Sequence, residues 1–400
     1  MPFKHSLVLG VLAASILAFQ AGRSMGEGGV NSLEGMIRIE AGSYERGCAD
    51  CRLADAAPVH AVKLSAFWIA ETPVTNAQFR RFVEKTRYVT VAERELDPKN
   101  FPGIPKDKLR PGSAVFTPPA NPISLTNPYA WWRYQPGASW KHPEGPGSDL
   151  KTRWDHPAVH ISYEDAKAYC DWRGQRLPTE AEFEYAARGG LKNKKYSWGD
   201  ELKPRGKWLA NIWQGSFPDK NIKEDGYEGT SPVKAFPSNG YGLYDVSGNV
   251  WQWTSDWYRS DTYQTIAKKS AEIENPQGPA SSYDSSEPGV VKRVQRGGSY
   301  LCSSEYCTRY LVAARGKGEP ESSSSNVGFR CVKDDSSVKN SSPTPDGGRH
   351  ENAATSKQIQ AGAGSSRSGG GGGACHGRIS RKKQFAGLRE EAERPLYSSR

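Results

Sequence analysis

Glycine and proline break this chain so often that no long helix fits into it. Of 400 residues, 42 are glycine and 27 proline, above the usual share for a globular protein. Both disfavour helix interiors, so a helix bundle and a coiled coil are excluded. Twelve tryptophans and eighteen tyrosines belong to a folded body, with large rings to bury or to present to a partner. The aromatic and turn residues concentrate between Gly35 and about Asp334. Beyond that point come Ser-rich, Gly-rich and charged stretches, including Gly369–Gly373, with almost nothing apolar to bury. Residues 335–400 are therefore predicted to be a disordered, low-complexity tail.

Inside the body, three short helices are marked by their caps. Thr75 with Gln78 forms a capping box ahead of Phe79, Phe82 and Val83. Ser162 with Asp165 opens a second helix, stopped by Gly174, and Thr179 with Glu182 opens a third, ended by Gly189-Gly190. Alternating runs at Ala61–Trp68 and Val290–Gln295 predict strands. The connections are long, and long loops in a compact domain usually carry function or are pinned by metals and disulfides. The fold class is α+β with sparse regular structure, and no internal repeat is visible.

A net charge of +10 raises nucleic-acid binding, but its distribution does not support it. Residues 336–400 hold eleven Lys and Arg against five Asp and Glu, and Lys4 and Arg23 lie near the N-terminus. The body is close to neutral, without a dense basic stripe. Residues 1–24 read as a secretory signal. Lys4 and His5 precede an apolar run from Leu7 to Phe19, followed by Ala21, Gly22 and Ser24. That run is too short to span a bilayer, so no stable membrane insertion is expected. The expected location is the secretory pathway: periplasm or exterior in a bacterium, ER lumen in a eukaryote. Disulfides persist there.

Seven cysteines stand at 48, 51, 170, 302, 307, 331 and 375. Cys48 and Cys51 form a C-x-x-C without the second pair of a zinc knuckle, leaving a local disulfide or a redox pair open. Cys302 and Cys307 lie in a loop entered through Gly297-Gly298. Their spacing permits a small disulfide loop, and equally two thiolates converging on one soft ion. No histidine falls between 161 and 349, and the methionines are only Met1, Met25 and Met36, which argues against blue copper. Two thiolates without a nitrogen partner suit Cu(I) best. His156 and His160 are separated by Pro157 and read as loop or core residues. Glu180, Glu182 and Glu184 open a capped helix, where acids are favoured, and read as structural. A Ser-His-Asp hydrolase arrangement and a phosphate loop are not visible.

Four motifs carry a resemblance to a known family. They are Arg176-Leu-Pro-Thr-Glu-Ala-Glu-Phe-Glu-Tyr185, Asn239-Gly-Tyr-Gly-Leu-Tyr-Asp-Val-Ser-Gly-Asn-Val-Trp-Gln-Trp253, Arg296-Gly-Gly-Ser-Tyr300 and Asn326-Val-Gly-Phe-Arg-Cys331. In this order, over roughly residues 34–334, they resemble the formylglycine-generating (sulfatase-modifying) superfamily, whose fold is related to C-type lectins. Membership alone is not a function. The Cys302/Cys307 pair, Trp131-Trp132 and the Trp140-Lys-His-Pro-Glu-Gly-Pro146 stretch are similar to the enzymatic branch. That resemblance implies a catalytic domain over 34–334 in which Cys302 and Cys307 bind Cu(I). The cysteine of a C-x-P-x-R segment in an unfolded or nascent sulfatase would join as a third sulfur. O2 then accepts electrons, a Cβ hydrogen is lost, and the resulting thioaldehyde hydrolyses to Cα-formylglycine.

By position, the resemblance also implies pocket roles for Ser299, Tyr306, Arg309 and Asn326, with Trp131 and Trp132 flooring a peptide groove. It further implies two structural Ca²⁺ ions with oxygen-only ligands. One would use Asn211, the Ile212 carbonyl, Asp225 and the Tyr227 carbonyl. The other would use Asp245, the Gly248 and Val250 carbonyls, and Gln252, where Asn and Glu are expected at the two ends. Relatives with two structural disulfides carry cysteines where this chain has Ala187 and Val312. The surviving bridge implied is Cys170–Cys331, a long closure worth about 4–5 kcal/mol in the chain-entropy description. Ser303-Ser304-Glu305, between the two cysteines, departs from animal members. The main rival is an inactive, Ca²⁺-stabilised, lectin-like binding module in which Cys302 and Cys307 form a disulfide. A weaker rival is an oxidase of small thiols.

Overall fold

A computed structural model describes residues 33–335. The expected signal over 1–24 and the expected tail, apart from Asp335, lie outside the described residues. The N-terminal half runs β1 (Met36–Ile39), β2 (Gly42–Arg46), β3 (His60–Leu64), β4 (Phe67–Ala70), α1 (Asn76–Thr86), β5 (Gly112–Phe116) and β6 (Trp132–Pro136). Next come α2 (Tyr163–Trp172), α3 (Glu180–Arg188), β7 (Trp251–Trp257) and α4 (Thr262–Ala267). The last strands are β8 (Glu272–Glu274), β9 (Arg293–Arg296), β10 (Gly316–Gly318), β11 (Val327–Gly328) and β12 (Val332–Asp334). Strand orders are β1-β4-β12, β10-β9-β7-β11, β2-β3-β8 and β5-β6. The α+β expectation holds, with long loops between short elements.

All three predicted caps form. Thr75, Ser162 and Thr179 each accept from the backbone three residues on, and Gln78, Asp165 and Glu182 reciprocate. Gly174 (φ +63°) and Gly189 (φ +57°) take the left-handed turn that ends a helix. α4 begins after Asp261, whose carboxylate makes no side-chain cap and is held instead by Arg259.

Two strand expectations need correction. The run Ala61–Trp68 is not one strand but parts of β3 and β4, which belong to different sheets. The ladder breaks where the Ser65 N–H donates to Asn275 Oδ1 (2.8 Å). In Val290–Gln295, only the residues from Arg293 pair. Lys292 turns inward to Asp284 and Glu287, while Val291 faces solvent at 53% exposure.

The core has two lobes. Phe79 and Phe82 of α1 pack on Tyr169 of α2, with Trp140 and Phe329 closing the aromatic layer. Cys170 and Cys331 are bonded beside it, both buried. The second lobe lays Ala181, Phe183, Ala186 and Ala187 of α3 against Ile39, Val62, Leu64, Phe67 and Ile69. The Cys170–Cys331 bridge spans 161 positions of chain. Cys170→Ser is therefore expected to lower unfolding stability by about 2–5 kcal/mol. Urea titration checks this, and adding Cys331→Ser should cost nothing more.

The acids of α3 are structural for a stronger reason than the helix terminus. Glu180 and Glu184 are buried among arginines from four places in the chain. Arg296 reaches both, at 2.9 and 2.8 Å, while Arg315 grips Glu180 at 2.7 and 3.0 Å. Arg46 lies 2.7 Å from Glu180, and Arg188 lies 2.7 Å from Glu184. Arg296 is also the last residue of β9, and it donates to the Val312 carbonyl (2.7 Å). The segment between these residues holds both Cys302 and Cys307. One buried cluster thus fixes where that segment enters and leaves.

Candidate active site

The loop turns immediately after β9. Gly298 has φ +73°, and a Cβ there would stand 2.9 Å from the Tyr310 nitrogen, so only glycine fits without a shift. Ser299 then caps the turn: its carbonyl accepts from Cys302 N–H (2.9 Å) and its hydroxyl from Leu301 N–H (3.3 Å). Ser303 repeats the device, its carbonyl accepting from Cys307 N–H (3.0 Å) and its hydroxyl from Tyr306 N–H (3.0 Å). These two local turns bring the cysteine side chains together.

Cys302 and Cys307 are both buried and neither is in a disulfide, with their Sγ atoms 2.8 Å apart. A disulfide needs about 2.05 Å, so this is a pair of thiols and not the small disulfide loop. The Ser299 N–H points at Cys302 Sγ (3.4 Å). Among the described residues, the one cluster of three His, Cys, Asp or Glu ligand atoms is Cys48, Asp50 and Cys51. The Cys302/Cys307 pair offers a soft ion two sulfurs. That donor set fits Cu(I).

The expected pocket residues divide. Asn326 donates to the Ser299 hydroxyl (3.0 Å) and accepts from Ser324 (2.8 Å), so it braces the loop's first turn. Tyr306 stacks on Phe217 at 4.6 Å and meets the edge of Trp131 at 5.5 Å. Arg309 turns to the Arg315 carbonyl and to Asp55, 3.4 Å away. Trp131 and Trp132 do not form an open groove floor: they are 1% and 6% exposed, and pack under Tyr306 and against Phe116 respectively. Their apolar faces are satisfied inside the body.

The open surface beside the loop is lined by other residues. A cleft of about 640 Å³ takes in Phe116, Pro118, Pro143, Trp213, Tyr300 and Ser325. Trp213 ties it to the cysteine loop, its N–H donating to the Cys302 carbonyl (2.8 Å). On the polar side, Arg153 holds Glu144 with two bonds (2.6 and 2.8 Å). Asn76 Oδ1, also lining the cleft, is buried without a hydrogen-bond partner. The expected pocket set contains none of these residues: Pro143, Glu144 and Tyr300 lie inside the sequence motifs, Trp213 neighbours the expected ligands Asn211 and Ile212, and the rest carry no pocket signal. His160 is a core residue, bonded to Ser113 and to the Pro143 carbonyl (both 2.8 Å). Burial lowers its pKa to about 4, so it stays neutral.

The two expected calcium sets differ. In the first, the Ile212 carbonyl and Asp225 Oδ2 converge on one donor, the Gln214 side-chain amide nitrogen. Burial raises Asp225 above its ordinary carboxylate value, a cost that a bound cation would remove. With Asn211 buried alongside, this oxygen set fits a hard cation. The second set does not fit as drawn. Gln252 has one oxygen, which accepts from Arg330 Nε (2.6 Å), and its amide nitrogen donates to the Asp245 carbonyl (2.7 Å). The Asp245 carboxylate already accepts from Lys234 N–H (3.0 Å) and Asn249 (3.2 Å), beside Gly248 and Val250.

The sequence profile of the Sulfatase-modifying factor enzyme 1-like domain matches residues 22–335. The Formylglycine-generating enzyme of Bos taurus is 45% identical over 303 residues, covering 75% of this chain and 74% of that one. The protein of the same name from Mycobacterium tuberculosis is 44% identical over 303 residues, 75% of this chain and 97% of that one. The Inactive C-alpha-formylglycine-generating enzyme 2 of Bos taurus is also similar, 36% identical over 322 residues, 80% of this chain and 94% of that one. With profile and relatives spanning the same folded body, this chain belongs to the sulfatase-modifying factor enzyme 1-like family.

Proposed function

We propose that this chain is an oxidase that converts a cysteine of sulfatase polypeptides to Cα-formylglycine, using O2. The observation that carries the reading is the pair of buried, unbridged thiols, Cys302 and Cys307. An inactive binding module stapled at this point would hold them as a disulfide. The names of the relatives at 44–45% identity support the same reaction class.

Cu(I) bound by Cys302 and Cys307 would supply the redox chemistry that activates O2 and leads to loss of the Cβ hydrogen. The chain's own residues do the positioning. Ser299 and Asn326 fix the first turn of the loop, and Tyr306 on Phe217 seals its second turn with an apolar ring stack. The cleft beside Trp213 and Tyr300 is the proposed seat of an extended C-x-P-x-R segment. Its Phe116, Pro118 and Pro143 side suits proline, and its unpaired Asn76 Oδ1 can accept from a peptide N–H.

The proposed catalytic unit is residues 34–334, made in the secretory pathway behind the 1–24 signal and followed by the 335–400 tail. The two disulfides among the described residues support an oxidising compartment. No described helix is long and apolar enough to cross a membrane.

The test is a mass assay on a C-x-P-x-R peptide with Cu(I)-loaded protein, in air and without oxygen, with an aldehyde-reactive probe to confirm product. Oxygen-dependent aldehyde supports the reading. No product from a folded, copper-loaded protein would sink it and bring the binding module forward.

Calcium at the first oxygen set is part of the proposal. Chelator is expected to lower stability by about 2–3 kcal/mol relative to protein held at a hundredfold excess of Ca²⁺ over its Kd. Calorimetry reads this as a fall in Tm. Asp225→Asn should abolish the difference, whereas Asp245→Asn should retain it.

A further inference from the structure

One reactive motif takes no part in the chemistry above. Cys48 and Cys51 are bonded to each other in the turn between β2 and β3. Both are partly exposed, and Ala49, Asp50 and Arg52 around them are exposed. The other bridge, Cys170–Cys331, is buried at 0% and 1% exposure.

A structural staple is a poor account of the exposed bridge. It closes a separation of three residues, against 161 for the buried one, and so restrains little of the unfolded chain. Its turn is tied down by other bonds. Cys48 N–H donates to the Ala56 carbonyl (3.0 Å), Gly47 N–H to Glu184 (2.8 Å), and Arg315 to the Asp55 carbonyl (2.9 Å). These bonds do not depend on the sulfurs being joined. The Asp50 carboxylate also stands 3.1 Å from Cys48 Sγ and 4.0 Å from Cys51 Sγ. That oxygen can accept from the S–H groups that reduction would create, which stabilises the dithiol.

We propose that Cys48–Cys51 is a second reactive sulfur site, a disulfide that exchanges with thiol reductants. A reductant thiolate attacks one sulfur, forming a mixed disulfide as the Cys48–Cys51 bond breaks. A second reductant thiolate then attacks the reductant's sulfur in the mixed disulfide and expels the protein thiolate. Two electrons and two protons have then entered the protein, Cys48 and Cys51 are thiols, and the reductant leaves as its own disulfide. Accessibility decides which bridge reacts. An exposed sulfur meets the reductant directly, whereas a buried one reacts only from opened molecules, a fraction of about 10⁻³ or less. The inference stands on the turn itself and does not depend on the oxidase reading.

The full-length protein is incubated under native conditions with dithiothreitol, quenched with N-ethylmaleimide at intervals, and its labelled peptides mapped by mass. Cys48 and Cys51 should become labelled at least about 1,000-fold faster than Cys170 and Cys331. Circular dichroism and Tm should be unchanged at that stage. Removing the reductant and adding oxidised glutathione should restore the bridge. A Cys48→Ser/Cys51→Ser double variant should unfold at the wild-type urea midpoint. The proposal is overturned if the two bridges open together, if opening Cys48–Cys51 unfolds the protein, or if the double variant is clearly destabilised.

Discussion

Cys302→Ser and Cys307→Ser should each abolish aldehyde formation, with a loss of at least about 1,000-fold, while leaving the fold intact. Serine is nearly the same size as cysteine and can keep the loop's turns, which are built from Ser299 and Ser303 rather than from the sulfurs. What it cannot do is act as a soft ligand: its hydroxyl stays protonated and hard where a thiolate is needed. Among the described residues no group of three His, Cys, Asp or Glu ligand atoms includes the pair, so removing either sulfur leaves the site a single soft ligand. The two residues should therefore behave as one unit. Each single variant should lose Cu(I) retention and activity together, and the double variant should be no worse than either. Size exclusion and thermal melting separate this from misfolding. Full activity in one serine variant would show that the thiols do not work as a pair.

How much of this was legible follows from the range of each interaction. The capped helices could be read because a capping box lies within four consecutive residues. The cysteine loop could be read because Gly297, Gly298, Ser299, Cys302 and Cys307 form one short segment. The break at Ser65 could not, because its cause is Asn275, far along the chain. Nor could the inward turn of Lys292, which depends on Asp284 and Glu287 folding over it. Trp131 and Trp132 are attractive as a groove floor when only their type is known. Their place under Tyr306 and against Phe116 is decided by packing between distant loops. The cleft residues Phe116, Trp213 and Tyr300 come from three separate segments and share no motif. The glutamates of α3 are the clearest case. Their spacing resembles an ordinary acidic helix start, and nothing local announces Arg46, Arg296 or Arg315.

Those glutamates carry the largest expected stability effect. Glu180→Gln should destabilise the protein by about 3–5 kcal/mol at neutral pH, because it removes one charge from a buried cluster and leaves the others unpaired. Burial on its own raises the Glu180 pKa, but Arg315, Arg46 and Arg296 overturn that and hold it well below the ordinary carboxylate value. Glu184 is likewise raised by burial and brought down to about 2 by Arg188, Arg296 and Arg46. A carboxylate with a depressed folded pKa contributes stability that is fully present above its unfolded value of 4.5 and lost as pH falls through the folded one. Wild-type stability should thus fall steeply between pH 4.5 and 2, and the gap to Glu180→Gln should narrow over that window. Asp256 works in the opposite direction. Burial, reinforced by Glu180, raises it to about 6, so its ionisation subtracts stability as pH rises through that value. Removing the Glu180 charge should lower that Asp256 pKa. Arg296 also holds Val312 at the far end of the cysteine loop, so the same variant should lose Cu(I) retention before it unfolds. Urea titrations from pH 2 to 8, run beside a copper-retention assay, test both consequences. A Glu180→Gln protein with wild-type stability at pH 7 would mean the arginines find other partners. The cluster would then not be what fixes the loop.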